Sequence, residues 1–187
     1  MKAELARKGI HLLIAFVPLL AALNRSHTAL LLMAGLLVYV WAESMRFLGF
    51  SPPLIATVTK KVLRDRERGG FALGPLTLGL GALLALILFP PKVAALAIYA
   101  VAFGDSASSL VGGFFGRLRP DFLKGKSIEG CAACFAATAL AGFIVFSDWR
   151  PALAAALAAL LTDLLPLEDF DNLILPLAAG LGALAFA

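Results

Sequence analysis

Residues 93–116 read VAALAIYAVAFGDSASSLVGGFFG. A bilayer-spanning helix takes ~20 mostly apolar residues, and this stretch meets that length. Yet it carries an acid, Asp105, near its middle. An ionised carboxylate there costs at least ~2.5–3.5 kcal/mol on insertion scales, so acids persist in spans only where something compensates them. A metal ion, a basic partner or a water-filled cavity would do so. On a straight helix from Val93, at ~1.5 Å per residue, Asp105 would lie about 18 Å along the axis. That depth predicts either a helix broken at Gly104 or a polar cavity reaching into the membrane, because irregular backbone at membrane depth is tolerated only where protein or water covers it.

The rest of the chain has the same character. Of its 187 residues, 61% are hydrophobic and only 15% charged, with a mean hydropathy of +0.93. Soluble domains carry about 25% charged residues, so an ordinary cytosolic enzyme, a disordered chain and a disulfide-rich secreted domain are all excluded. Seven candidate spans follow, at about 9–23, 28–48, 73–89, 93–116, 128–146, 151–165 and 172–187, punctuated by prolines such as Pro52-Pro53, Pro90-Pro91 and Pro166. The expectation is an all-α polytopic membrane helical bundle of about seven transmembrane helices, forming a single domain over 1–187. The first apolar run follows Lys2, Arg7 and Lys8 in the manner of a signal peptide. It is read as a retained span, since candidate functional residues lie in it. Cys131 and Cys134 lack a second pair to complete a zinc set and read as small packing residues.

Charge sets the expected orientation. With the N-terminus cytoplasmic, only Arg25, Lys92 and Arg150 of the 16 Lys and Arg fall on the outer side, as the positive-inside rule asks. Of the 12 Asp and Glu, only Asp148 is clearly outer. Acids contribute little to topology, so their inward bias points to chemistry.

The densest constellation runs from Gly104 to Gly130. Ser108, Gly112 and Gly116 recur every four residues, the small-xxx-small spacing that lets helices approach closely within or between subunits, so an oligomer is compatible with it. Asp105, beside Gly104 and followed by serines, suits a divalent cation with hard oxygen ligands, and Asp163 and Asp171 around the last turn could share it. Arg117, Arg119, Lys124 and Lys126 then lie within one loop, as for a polyanion. Gly125-Lys126-Ser127 is not a P-loop, because Pro120 stands where the leading glycine belongs and no strand precedes it. Ser127 is a candidate N-cap, and the helix start over Ser127, Glu129 and Gly130 a candidate phosphate site. Lys8 and His11, at i and i+3, and Glu43 and Arg46, also at i and i+3, could converge on the same inner face. The outer halves of the spans are almost purely apolar, which argues against a channel or carrier.

These residues resemble the CTP-dependent lipid-alcohol kinases: dolichol kinase, phytol kinase and CTP-dependent diacylglycerol kinase. The similar elements are Arg7-Lys8-x-x-His11, Glu43-x-x-Arg46, the Arg64/Glu67 segment, GDSASS at 104–109, Gly112, Gly116, Lys126-Ser127-Ile128-Glu129-Gly130, and Asp171-Asn172 with Pro176. Asp163 departs from the glutamate expected there. The resemblance implies CTP as donor and a lipid alcohol (polyprenol, phytol-like alcohol or diacylglycerol) as acceptor, with membrane lipids around it and no nucleic acid. In this reading Mg²⁺ sits on Asp105 with Asp171 and Asp163. The nucleotide contacts Gly104, Arg117, Lys124, Lys126, Ser127, Glu129, Gly130, Lys8 and Arg64. The hydroxyl proton goes to Asp105, Glu43 or His11. The expected location is a bacterial cytoplasmic membrane, with the site facing the cytoplasm. The integral-membrane phosphatidate cytidylyltransferases are similar over the GD and K-x-x-E-G-like elements and make a CDP-lipid, but their chains are usually larger.

Overall fold

The computed structural model describes residues 2–50, 70–123 and 125–187, with no side-chain description for 2–6 and 122. All regular structure among the described residues is helical. The helices are α1 (Lys2–Leu13), α2 (Val17–Leu23), α3 (Arg25–Phe47), α4 (Leu73–Leu88), α5 (Pro91–Tyr99), α6 (Ser106–Phe115), α7 (Ile128–Phe146), α8 (Trp149–Asp163) and α9 (Asp171–Leu184). A 3-10 turn, Ile14–Phe16, joins α1 to α2. Each candidate segment is thus helical, although the first helix begins at Lys2, ahead of the expected residue 9.

Among the described residues, three stretches are long and apolar enough to cross a membrane: α3 with 23 residues, the continuous Pro91–Phe115 with 25, and α7 with 19. Helix α3 leaves Leu30, Leu31, Leu37, Val38 and Trp41 exposed along its length, a surface that suits lipid far better than water. Helices α4 and α9 are apolar but shorter, with 16 and 14 residues.

Helix starts follow from local chemistry. The Asn24 side chain accepts from the His27 N–H at 2.9 Å, Ser127 from Gly130 at 3.1 Å, and Asp148 from Arg150 at 3.1 Å. Each satisfies a donor that the first helical turn would otherwise orphan. Pro91 opens α5, where its missing N–H is no loss.

Small residues carry the packing, as expected where lipid tails remove most of the hydrophobic drive between helices. A Cβ on Gly142 would meet Ala152 of α8 at 2.7 Å, and one on Gly182 would meet the Ala154 carbonyl at 2.7 Å. Cys134 is fully buried, and both cysteines are free thiols within the helix packing.

Polar contacts sort to two ends of the bundle. At one end Arg25 donates to the carbonyls of Leu86 and Phe89, the latter at 2.7 Å. At the other, Thr77 donates to Asp169 O at 2.7 Å and Asn172 Nδ2 to Gly74 O at 3.3 Å. Glu43, Arg46, Lys126 and Asp163 belong to this second, charge-rich end.

The helix is not broken at Gly104, and Asp105 instead lines a polar cavity. Residues Ala100–Asp105 form a π-helical segment inside Pro91–Phe115. The wider turn inserts extra backbone while keeping its polar groups satisfied, a device common at functional sites. Gly104 lets the segment approach α7: a Cβ there would sit 2.5 Å from Thr138 Oγ1 and 3.3 Å from Cys134 Sγ. Gly104→Ala should therefore cost about 1–3 kcal/mol of stability, as is typical of overpacking, read as a lower melting temperature in detergent. The Thr138 hydroxyl has no hydrogen-bond partner among the described residues. Adding Thr138→Ala should recover most of the loss, and a double variant no more stable than Gly104→Ala alone would refute the packing role.

Candidate active site

The centre of the charged end is Asp105, 5% exposed. Lys8 and His11 lie one helical turn apart in α1 and face it together. Lys8 Nζ donates to Asp105 Oδ2, and His11 Nδ1 is 3.1 Å from the same oxygen. Lys8 and His11 are themselves buried. The acid in the span is thus compensated by a basic partner from a helix far away in sequence.

One turn beyond Asp105, the Ser108 hydroxyl donates to Asp163 Oδ2 at 2.8 Å. Lys126 Nζ donates to Asp163 Oδ1 at 2.9 Å and also to the Asp163 main-chain carbonyl. Asp163 ends α8, where a cation is favoured by the helix dipole. The ammonium of Lys126 is held between a carboxylate and a helix C-terminus, with its side chain 33% exposed.

The loop between α6 and α7 is shaped by three groups. Glu129 accepts from the main-chain N–H of Arg117 at 3.0 Å and of Leu118 at 3.2 Å. Arg119 donates to Gly112 O at 2.5 Å and to Gly125 O, tying the loop to α6. Gly125 takes φ +93°, a left-handed conformation that glycine adopts freely. The four-spaced small residues bring α6 onto the start of α7. A Cβ on Gly112 would touch Ser127 Oγ at 3.0 Å, and one on Gly130 would meet Ser108 O at 2.7 Å.

These elements enclose a cavity of about 360 Å³. Asp105, Asp163 and Asp171 line it together with Lys126, Arg119, Ser127, Ser108, Ser109, Gly112, Gly113 and Gly125. Of the residues singled out in the sequence, Asp105, Lys126, Ser127, Asp163 and Asp171 meet there. Lys8 and His11 reach Asp105 but do not line the cavity. Gly104 faces α7, Glu129 and Arg117 hold the loop through their own contact, and Gly130 packs on α6. Arg64 and Lys124 lie outside the described residues.

Ser109 and Gly113 carry no signal of their own in the sequence, and Ser108 reads there as a packing residue. Arg119 belonged to the basic cluster from the start. Which of two arginines turns inward depends on hydrogen bonds to Gly112 and Gly125, which no spacing encodes.

Glu43 is fully buried but serves elsewhere. It receives Arg46 Nε at 2.8 Å and Nη2 at 2.6 Å, plus the Ala72 N–H at 2.7 Å. Arg46 also donates to Gly70 O at 2.5 Å. The pair clamps the end of α3 to the start of α4. Glu43→Gln should cost stability, by up to about 3–5 kcal/mol for a broken buried pair, while leaving the affinity of the folded fraction for nucleotide unchanged. A thermal melt beside a nucleotide titration checks both.

The chain is similar to a yeast kinase. It is 23% identical over 153 residues to CTP-dependent diacylglycerol kinase 1 of Schizosaccharomyces pombe, a match covering 80% of this chain and 70% of that protein. No family model and no solved structure matches it.

Three carboxylates on one cavity are the hard oxygen donors that Mg²⁺ selects. Among the described residues no three His, Cys, Asp or Glu side chains cluster closely enough to hold an ion by themselves. A magnesium ion takes one or two carboxylates together with waters and substrate phosphates, and the carboxylates around this cavity are oxygen donors of that kind.

Proposed function

We propose that this chain is a membrane kinase that transfers the γ-phosphate of CTP to the hydroxyl of a lipid alcohol at the cytoplasmic face. The observation that carries the reading is the single cavity bordered by Asp105, Asp163 and Asp171 on one hand and Lys126 and Arg119 on the other. A triphosphate needs cations and a metal-binding acid side by side. The likeness to a CTP-dependent kinase supports CTP as the donor.

In this mechanism Lys126 and Arg119 neutralise the phosphate oxygens, and the capped N-terminus of α7 adds its dipole. Asp105 and Asp171 would hold Mg²⁺, which when bound would neutralise charge on the phosphate oxygens. The alcohol oxygen forms a bond to the γ-phosphorus as the bond from that phosphorus to the β-bridging oxygen breaks, releasing CDP. The hydroxyl proton goes to Asp105 or to His11, whose Nδ1 is 3.1 Å from the Asp105 carboxylate. Phosphoryl transfer demands little covalent work, so positioning and charge neutralisation supply most of the rate.

The test uses purified protein, Mg²⁺ and a panel of lipid alcohols with CTP labelled at either end. Label from the γ-position should enter the lipid, with CDP released. Label from the α-position in the lipid, with pyrophosphate released, would replace the kinase by a cytidylyltransferase.

A further inference from the structure

A second cavity, about 390 Å³ in volume, is wholly different in chemistry from the first. Leu12, Phe16, Leu19, Phe103, Ala141 and Ile144 line it with Ala15 and Tyr99. No charged side chain contributes. Leu12 is 41% exposed, Phe16 59% and Ile144 75%, so the groove is open along its side, toward where lipid would lie.

Its walls are continuous with the polar site. Lys8, His11, Leu12, Ala15 and Leu19 follow the i, i+3, i+4, i+7, i+11 progression, one helical stripe from α1 across the 3-10 turn into α2. The stripe is polar where it meets Asp105 and apolar beyond. Opposite, Phe103 and Asp105 belong to the same π segment, with Tyr99 one turn before Phe103. The rings of Tyr99 and Phe103 stack at 5.5 Å. The third wall is α7. Its Ser127 end borders the polar cavity, Thr138 meets Gly104, and Ala141 and Ile144 line the groove further along. All three elements change from polar to apolar in the same direction.

We propose that this groove is the tail site of the acceptor: one hydrocarbon chain of a lipid alcohol lies between α1–α2 and α7, with its hydroxyl end at Asp105. The proposal rests on the kinase reading. Lipid tails are already in an apolar medium, so the groove gains little from burial as such. Its contribution is alignment, fixing the chain so that the hydroxyl meets the phosphate in a reactive geometry. The two irregular segments, 3-10 at Ile14–Phe16 and π at Ala100–Asp105, both contribute residues to the groove wall.

The direct test does not depend on catalysis. A long-chain primary alcohol carrying a mid-chain diazirine is photolysed with the full-length protein in nanodiscs, and the labelled peptides are mapped. Label is expected on residues 12–19 and 141–144, displaced by the unmodified alcohol and not by a phospholipid of equal chain length. Label elsewhere, or label that phospholipid displaces equally, overturns the tail site, the latter meaning a groove filled by bulk lipid.

Ala141→Phe, which fills the groove, should lower turnover of a long-chain alcohol by at least about tenfold relative to a short water-soluble one, since small misplacements are costly. Ile144→Trp, at an exposed position, is the companion variant should Ala141→Phe not fold, and the same ratio is read. An equal effect on both acceptors in the folded variant overturns the proposal. Competed groove labelling without phosphorylation of any alcohol would instead remove the kinase reading and leave a lipid-alcohol site.

Discussion

Lys126→Met is expected to lower kcat/KM for the nucleotide by on the order of 10²–10³, the usual effect of removing one preorganised charge from a reacting phosphate or oxyanion. Lys126 is the cavity's ammonium group, and Asp163 and the α8 terminus hold it at the wall. Its side chain stays 33% exposed, so water can partly replace it around Asp163, which also keeps its bond from Ser108. The stability cost should therefore be small, about 1–2 kcal/mol. Loss of turnover in a protein that melts near the parent temperature is the expected combination. Steady-state kinetics beside a melt will separate the two effects, and near-parental turnover would remove Lys126 from the chemistry. Lys126→Arg should not rescue fully, because a planar guanidinium cannot occupy the same point between the carboxylate and the carbonyl.

The same pair shows how far sequence reasoning reaches. The positions of the helices were legible because a bilayer imposes length and apolarity, and because Ser127 carries a cap that a local reading recognises. Ser108, Gly112 and Gly116 read as close-packing residues, and they do bring α6 onto the start of α7. The partner of each charge was not legible. Lys8 read as a nucleotide ligand, and Asp105 as an acid needing a metal ion, a basic partner or a cavity; each is the other's counter-charge across 97 residues of sequence. Glu43 and Arg46, at i and i+3, could either converge on the site or simply pair; they pair, and the pair fastens α4. The π segment has no composition of its own. It reflects how Gly104 seats against α7, a tertiary fact.

Burial also explains why the two cavities differ. The bundle end that holds Asp105 is filled by charges that neutralise each other in pairs, Lys8 with Asp105 and Lys126 with Asp163. Paired charges can remain in a low-dielectric site where isolated ones cannot. Deeper along the same elements no such pairing is offered, and the lining becomes Leu, Ala and Phe. A hydroxyl on an apolar chain is the ligand that matches this change of chemistry along one path.

Asp105→Asn should produce the largest effect of any single change, by two separate routes. The first is structural. Lys8, 5% exposed, would keep a buried ammonium with no counter-charge, and breaking a buried pair costs about 3–5 kcal/mol. Expression and melting temperature should fall together. The second is chemical, since a proposed acceptor of the hydroxyl proton and metal ligand is gone. A misplaced or missing catalytic base costs on the order of 10²–10⁴ in rate. The double variant Asp105→Asn with Lys8→Met distinguishes them. It removes both charges and leaves a hydrogen-bonding amide beside His11, so the melting temperature should return most of the way to the parent value. Turnover should not return. Lys8→Met alone leaves Asp105 beside His11, and should retain partial activity with a lowered melting temperature. If the double variant phosphorylated lipid alcohol at the parental rate, Asp105 would be a charge whose only role is to pair with α1, and the reacting centre would have to be sought at Asp163 and Asp171 across the same cavity.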